Sequence, residues 1–165
     1  ILRVKFQLGL FEKPYTDPAT PRTSKNPLNL EHLKVARELA TQSMVLLKNE
    51  GARLPLPTSL KSLAVIGPLA DSGDDMRGCW FCESSPGDTI TPLAALKTAV
   101  GPQTKIIHSA GLKTDIDEST TGFDAAVKAA QQAEVVVLCL GEGRNLSGEA
   151  RSRAFLKFPR AQEEL

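Results

Sequence analysis

The sequence predicts an α/β fold, a partial three-layer sandwich around a mostly parallel sheet, preceded by a helical and extended linker segment. Two observations carry that reading. Three apolar, β-branched-rich runs end at Pro68, His108 and Leu140, and the stretches between them carry helical patterns. Continuous apolar runs of this kind are expected from strands covered on both faces, and strand–helix alternation implies parallel neighbours.

The elements follow in chain order. Residues 1–12 place Val4, Leu8 and Phe11 at helical spacing, which predicts a short helix. Pro14, Pro18, Pro21 and Pro27 then forbid a continuous helix, so 13–28 reads as an extended linker and a domain boundary. Asn29 is placed to cap a helix running to about Glu50, with Gly51 as its stop. Leu30, Leu33, Leu39, Met44, Leu46 and Leu47 lie along one side of it, and Leu54-Pro55-Leu56-Pro57 follows as extended chain. Ser62 to Pro68 reads as the first strand. Thr91 caps a helix from Pro92 to Val100, Thr104 to His108 forms a second strand, Phe123 to Ala133 is an Ala-rich helix, and Glu134 to Leu140 is a third strand. Ala161 to Leu165 resembles the first turn of a further helix, and both termini read as cuts in a longer chain, with 29–165 the beginning of an α/β domain.

Composition narrows the function. Of the 165 residues, 41% are apolar and 24% charged, the balance of a globular chain. Lys and Arg number 20 against 19 Asp and Glu, and a net charge of +1 disfavours nucleic acid and acidic membrane as partners. No apolar run is long enough to span a bilayer.

In a parallel sheet, ligands collect beyond the carboxyl ends of the strands, which singles out the loops 67–91, 108–122 and 141–159. The last holds Glu142 and Glu149 among Arg144, Arg151 and Arg153, flanked by glycines. Such a cluster is either a solvated turn with surface ion pairs or a site where one carboxyl group donates a proton. The first loop holds Asp71, Asp74, Asp75, Arg77 and the single tryptophan, Trp80, in Gly78-Cys79-Trp80-Phe81-Cys82. An indole there either anchors the loop or offers a flat face to a ligand ring. Cys79 and Cys82 are spaced for redox or metal chemistry. The residues after them form a loop, and Cys139, His32 and His108 complete no second paired motif, so free thiols beside Trp80 are the simpler reading. His108 reads as a strand-end residue. Neither Gly67 to Gly73 nor Gly141-Glu142-Gly143 completes a phosphate-binding or dinucleotide motif, so a nucleotide-binding half-fold is the weaker alternative.

The ordered series Arg3-Val4-Lys5-Phe6-Gln7-Leu8-Gly9-Leu10-Phe11, Ala36-Arg37-Glu38-Leu39-Ala40, Ser43 to Gly51, Ala64 to Ser72, Gly78-Cys79-Trp80, Thr91-Pro92-Leu93 and Gly141 to Arg153 resembles family-three glycoside hydrolases, especially the bacterial periplasmic β-glucosidase type. The resemblance implies that 1–12 closes a (β/α) barrel lying outside this chain, and that 29–165 is the first half of the family's α/β sandwich. It implies retaining hydrolysis of terminal β-linked glucose, with a barrel aspartate as nucleophile and a glutamate of the second domain as acid/base. Such a mechanism needs two carboxyl groups about 5–5.5 Å apart. Glu149 matches the acid/base position, Glu142 is the second choice, and Trp80 matches a tryptophan beside the leaving-group sugar. No cofactor or metal is implied, and a periplasmic or secreted enzyme is. The chain departs from the family where Cys79, Phe81 and Cys82 replace small polar residues, and where Phe155, Lys157, Phe158 and Arg160 follow Arg153. A non-catalytic carbohydrate-binding or domain-docking module is the alternative function.

Overall fold

A computed structural model describes residues 1–15, 30–82 and 84–165, which divide into two units, 1–53 and 54–165. The predicted linker from 16 onward and the Asn29 cap lie outside the described residues.

The first unit contains α1 (Leu2–Gln7) and α2 (Leu30–Ser43), followed by a single 3₁₀ turn, Glu50–Ala52. Neither helix buries a residue. Leu2, Val4, Phe6, Leu30 and Leu39 are exposed, and the rings of Phe6 and Phe11 lie 5.6 Å apart. The predicted second helix is too long by about two turns. It ends at Ser43, and Met44 to Leu47 leave the helix with exposed side chains.

The second unit is the α/β body. Strands β1 (Ser62–Ile66), β2 (Lys105–Ser109) and β3 (Val135–Leu138) form a parallel sheet in the order β2-β1-β3. Between them lie α3 (Pro92–Ala99) and α4 (Phe123–Gln131). Pro92 at the first helical position and the Thr91 hydroxyl, which accepts from the Ala94 N–H, set the start of α3.

Side chains alternate across a strand, and β1 uses both faces. Leu63 and Val65 join Ala70 and Leu93 of α3 in one core, with Val135 and Val137 packed against it. Ala64 and Ile66 join Ala126 and Ala129 of α4 in the other, where the small alanines bring helix and sheet together, and Leu165 packs against this core. Helix, sheet and helix are therefore the three layers. Leu63 and Ile66 are each worth roughly 1.5–3 kcal/mol of burial.

Coverage of both faces holds for β1 alone. On β3, Val136 and Leu138 are exposed, and β2 is only partly buried. Among the described residues these are edge strands, and Val136 and Leu138 are left uncovered on the α4 side of β3. His108 is an exposed strand residue whose Nδ1 lies 2.8 Å from the Val65 carbonyl, in keeping with its reading as a strand-end residue. The predicted terminal helical turn is 3₁₀, Arg160–Glu163.

Candidate active site

The order β2-β1-β3 sends the chain from β1 to one side and then, after β2, across to the other. The topological switch point therefore falls between β1 and β3, where open α/β sheets bind ligands. The loops leaving these two strands are the ones that carry Trp80 and Glu149. At their roots the strands nearly touch. The Cys139 N–H donates to the Ile66 carbonyl at 2.7 Å, and Leu69 N–H donates to Cys139 at 3.3 Å. Gly67 has φ +126°, and a Cβ there would run into the Cys139 carbonyl. Glycine is what permits this approach.

Above that root, two carboxylates hold the 141–159 loop by its backbone. Asp115 Oδ2 accepts from the Gly143 N–H at 2.7 Å, and Asp75 Oδ1 accepts from the Arg144 N–H at 2.8 Å. Asp75 is itself fixed by the Ser72 hydroxyl, which donates to it at 2.5 Å. Gln162, 1% exposed, completes the hold. Its Oε1 accepts from Gly141 N–H at 2.8 Å, and its Nε2 donates to the carbonyls of Gly141 at 2.8 Å and Asp115 at 2.6 Å. Fully paired amides of this kind fix backbone where regular structure has ended.

The aromatic loop is fixed by stacked cations. The Arg77 guanidinium lies 4.2 Å from the centre of the Phe81 ring and that of Arg144 lies 4.9 Å away. Asp74 pairs with Arg77 and sits 3.7 Å from Arg144. The Arg77 side chain is only 8% exposed. Its Nε has no hydrogen-bond partner among the described residues, so the Phe81 ring, facing its guanidinium, is part of what stabilises it. Since Arg77 and Phe81 belong to one loop and Arg144 to the other, the stack ties the two loops together.

Between them opens a cleft of about 350 Å³, lined by Cys79, Trp80, Phe81, Cys82, Ser147, Glu149 and Arg151. Trp80 is 71% exposed, so the indole is no core anchor. Glu149 is exposed on the same cleft. Gly148, with φ +112°, turns the chain just before it, and a Cβ there would stand 3.0 Å from Cys79 Cβ. The two loops are in contact at that point.

The two candidate glutamates differ in their surroundings. Arg153 Nε donates to Glu142 Oε1 at 2.5 Å, which commits Glu142 to an ion pair beside the Lys157 carbonyl that Arg153 also holds. Arg151 donates to the Arg144 carbonyl at 3.2 Å and the Asn145 side chain at 3.1 Å, bracing the loop from within. Glu142 thus takes part in a surface ion pair, while Glu149 lines the cleft. All three cysteines are free thiols, and among the described residues no three His, Cys, Asp or Glu side chains converge as a metal site would require. Sequence reasoning named Asp75 without its partner, and missed Asp115 and Gln162 as supports of the site.

A model of the glycosyl hydrolase family 3 C-terminal domain matches residues 44–165. The chain belongs to glycosyl hydrolase family 3. A periplasmic beta-glucosidase of Salmonella typhimurium is 36% identical over 187 residues, an alignment that takes in 100% of this chain and 24% of that protein. A beta-xylosidase of Formosa agariphila is 38% identical, over 100% of this chain and 23% of the relative. Among solved structures, a beta-glucosidase from Listeria innocua in complex with isofagomine superposes with a TM-score of 0.84 at 33% identity, over 99% of this chain and 22% of that one. The same enzyme has been solved with glucose, and a mutant of it with laminaribiose. The chain therefore spans about a quarter of the length of these family 3 relatives. The match establishes the α/β sandwich assignment and the glycosidase character of the family. The family 3 relatives carry both glucosidase and xylosidase names.

Proposed function

We propose that this chain is part of a retaining β-glucosidase acting on terminal, non-reducing β-linked glucosyl residues, and that it supplies the acid/base loop and not the nucleophile. The supporting observation is the shared cleft at the switch point, where Glu149 faces a space also lined by an exposed indole, while Glu142 is tied to Arg153. In this reading Glu149 gives its proton to the glycosidic oxygen as a barrel aspartate attacks the anomeric carbon. The carboxylate then takes a proton from the water that releases the sugar. Trp80 forms a platform for the leaving group. The substrate is a β-glucoside or oligosaccharide, and no cofactor enters the reaction.

The domain reading is part of the proposal. Residues 1–12 close the barrel, 13–28 are linker and 29–165 begin the sandwich domain. The exposed apolar side chains of α1 and α2 support it, because apolar faces of this extent are expected to be covered by another domain. We assign the whole enzyme to the periplasm or to secretion, following the Salmonella relative. Among the described residues no helix is long and apolar enough to cross a membrane.

One carboxyl group cannot serve as both nucleophile and proton donor, so the chain alone is expected to leave an aryl β-glucoside intact. The test adds a family 3 barrel domain in trans. Hydrolysis that appears on mixing and is lost with Glu149→Ala supports the proposal. Turnover by the chain alone, or none on mixing with a barrel shown to bind it, refutes it. The second outcome would favour a non-catalytic docking module, to which the same exposed apolar face is suited. Parallel assays with aryl β-xyloside decide between the two sugars.

A further inference from the structure

We propose that Cys82, with Cys79 behind it, is a thiol-modification site in the wall of the Glu149 cleft, reactive toward low-molecular-weight disulfides and other soft electrophiles. Both cysteines line the same cleft of about 350 Å³ as Trp80 and Glu149. Cys82 is exposed, while Cys79 is half-buried and pressed against Gly148, the residue that sets the Glu149 turn. Of the two, Cys82 is the more accessible to an electrophile entering the cleft. The third thiol, Cys139, lies at the root of β3, where burial raises its ionisation above the ordinary value and leaves it less thiolate. It serves as an internal control in the same molecule.

The chemistry is thiol–disulfide exchange. The Cys82 thiolate attacks one sulfur of a small disulfide, RSSR. The S–S bond of the reagent breaks, a Cys82–S–S–R bond forms, and RS⁻ leaves and takes up a proton. Excess thiol reverses the step. The appendage then occupies part of the cleft that the indole and Glu149 also line. The modification itself is independent of the hydrolase reading, whereas its effect on turnover rests on that reading.

The experiment treats the intact protein with oxidised glutathione and, separately, with an aromatic disulfide. Peptide mass spectrometry follows each cysteine, and Trp80, the only tryptophan, reports on the cleft by fluorescence. Cys82 is expected to react at least about tenfold faster than Cys139, with a parallel change in Trp80 emission that dithiothreitol reverses. The Cys82→Ser variant is expected to lose that fast phase and keep the slow one. Equal rates at Cys82 and Cys139, a fast phase that survives Cys82→Ser, or a Cys82 adduct that leaves Trp80 emission unchanged would each overturn the site. In an active full-length enzyme the adduct is expected to lower aryl β-glucoside kcat/KM reversibly. Full modification with unchanged turnover would overturn the proposed obstruction, whereas an unmodified enzyme with no turnover would count against the hydrolase reading and leave the labelling result standing.

Discussion

Replacing Gln162 by leucine tests how the 141–159 loop is anchored. The side chains have similar volumes and the site is closed to solvent, so the change removes hydrogen bonds with little change in packing. Three bonds are lost, one accepted from the Gly141 N–H and two donated to the carbonyls of Gly141 and Asp115. At about 1 kcal/mol net for each bond, the destabilisation is about 3 kcal/mol, and part of the cost is the unpaired backbone left behind. With a urea slope of about 1.5 kcal/mol/M, the unfolding midpoint measured by circular dichroism should fall by about 2 M. The Gly141 amide should also lose hydrogen-exchange protection beyond the global loss, since its acceptor is gone. A midpoint shift below about 0.3 M with Gly141 still protected would refute the view that Gln162 holds the chain where it leaves β3 at Gly141.

Phe81→Ala should cost about 1–2 kcal/mol, since it removes the ring that two guanidiniums share, and it should lower the fluorescence anisotropy of Trp80 next to it. Unchanged anisotropy would show that the stack does not fix the indole. Asp117 accepts backbone N–H bonds from Ser119 and Lys113, which hold its carboxyl group below the ordinary value of 3.8. Its stabilising contribution is therefore complete above that value and lost as pH falls through the lower folded value. Asp117→Asn should flatten this acid limb of a pH–stability profile, and an unchanged limb would remove Asp117 from the explanation.

Much of the second unit was legible because local chemistry decides it. The run Leu63 to Ile66, the Thr91-Pro92 start of α3 and the alanines of α4 each specify an element without help from distant residues. The failures involve information that lies elsewhere in the chain. Val135 to Leu138 look doubly buried because β-branched residues suit any strand, and nothing in those four residues reveals an uncovered face. Met44 to Leu47 carried the helical count past the end at Ser43 because they continue its apolar pattern. Glu142 and Glu149 stand seven residues apart in one loop, and only the fold shows one paired with Arg153 and the other on a cleft. Gln162 and Asp115 could not be found locally, because each acts on backbone more than twenty residues away.

The most direct measurement is leaving-group dependence in a full-length enzyme carrying Glu149→Gln. Protonation of the departing oxygen matters most when the leaving group is basic. Methyl β-glucoside hydrolysis should fall by about 10²–10⁴-fold, while cleavage of a dinitrophenyl β-glucoside, whose leaving group needs no proton, should be largely spared in the bond-breaking step. Equal losses for the two substrates, or no loss for either, would contradict the assignment of Glu149 as the proton donor.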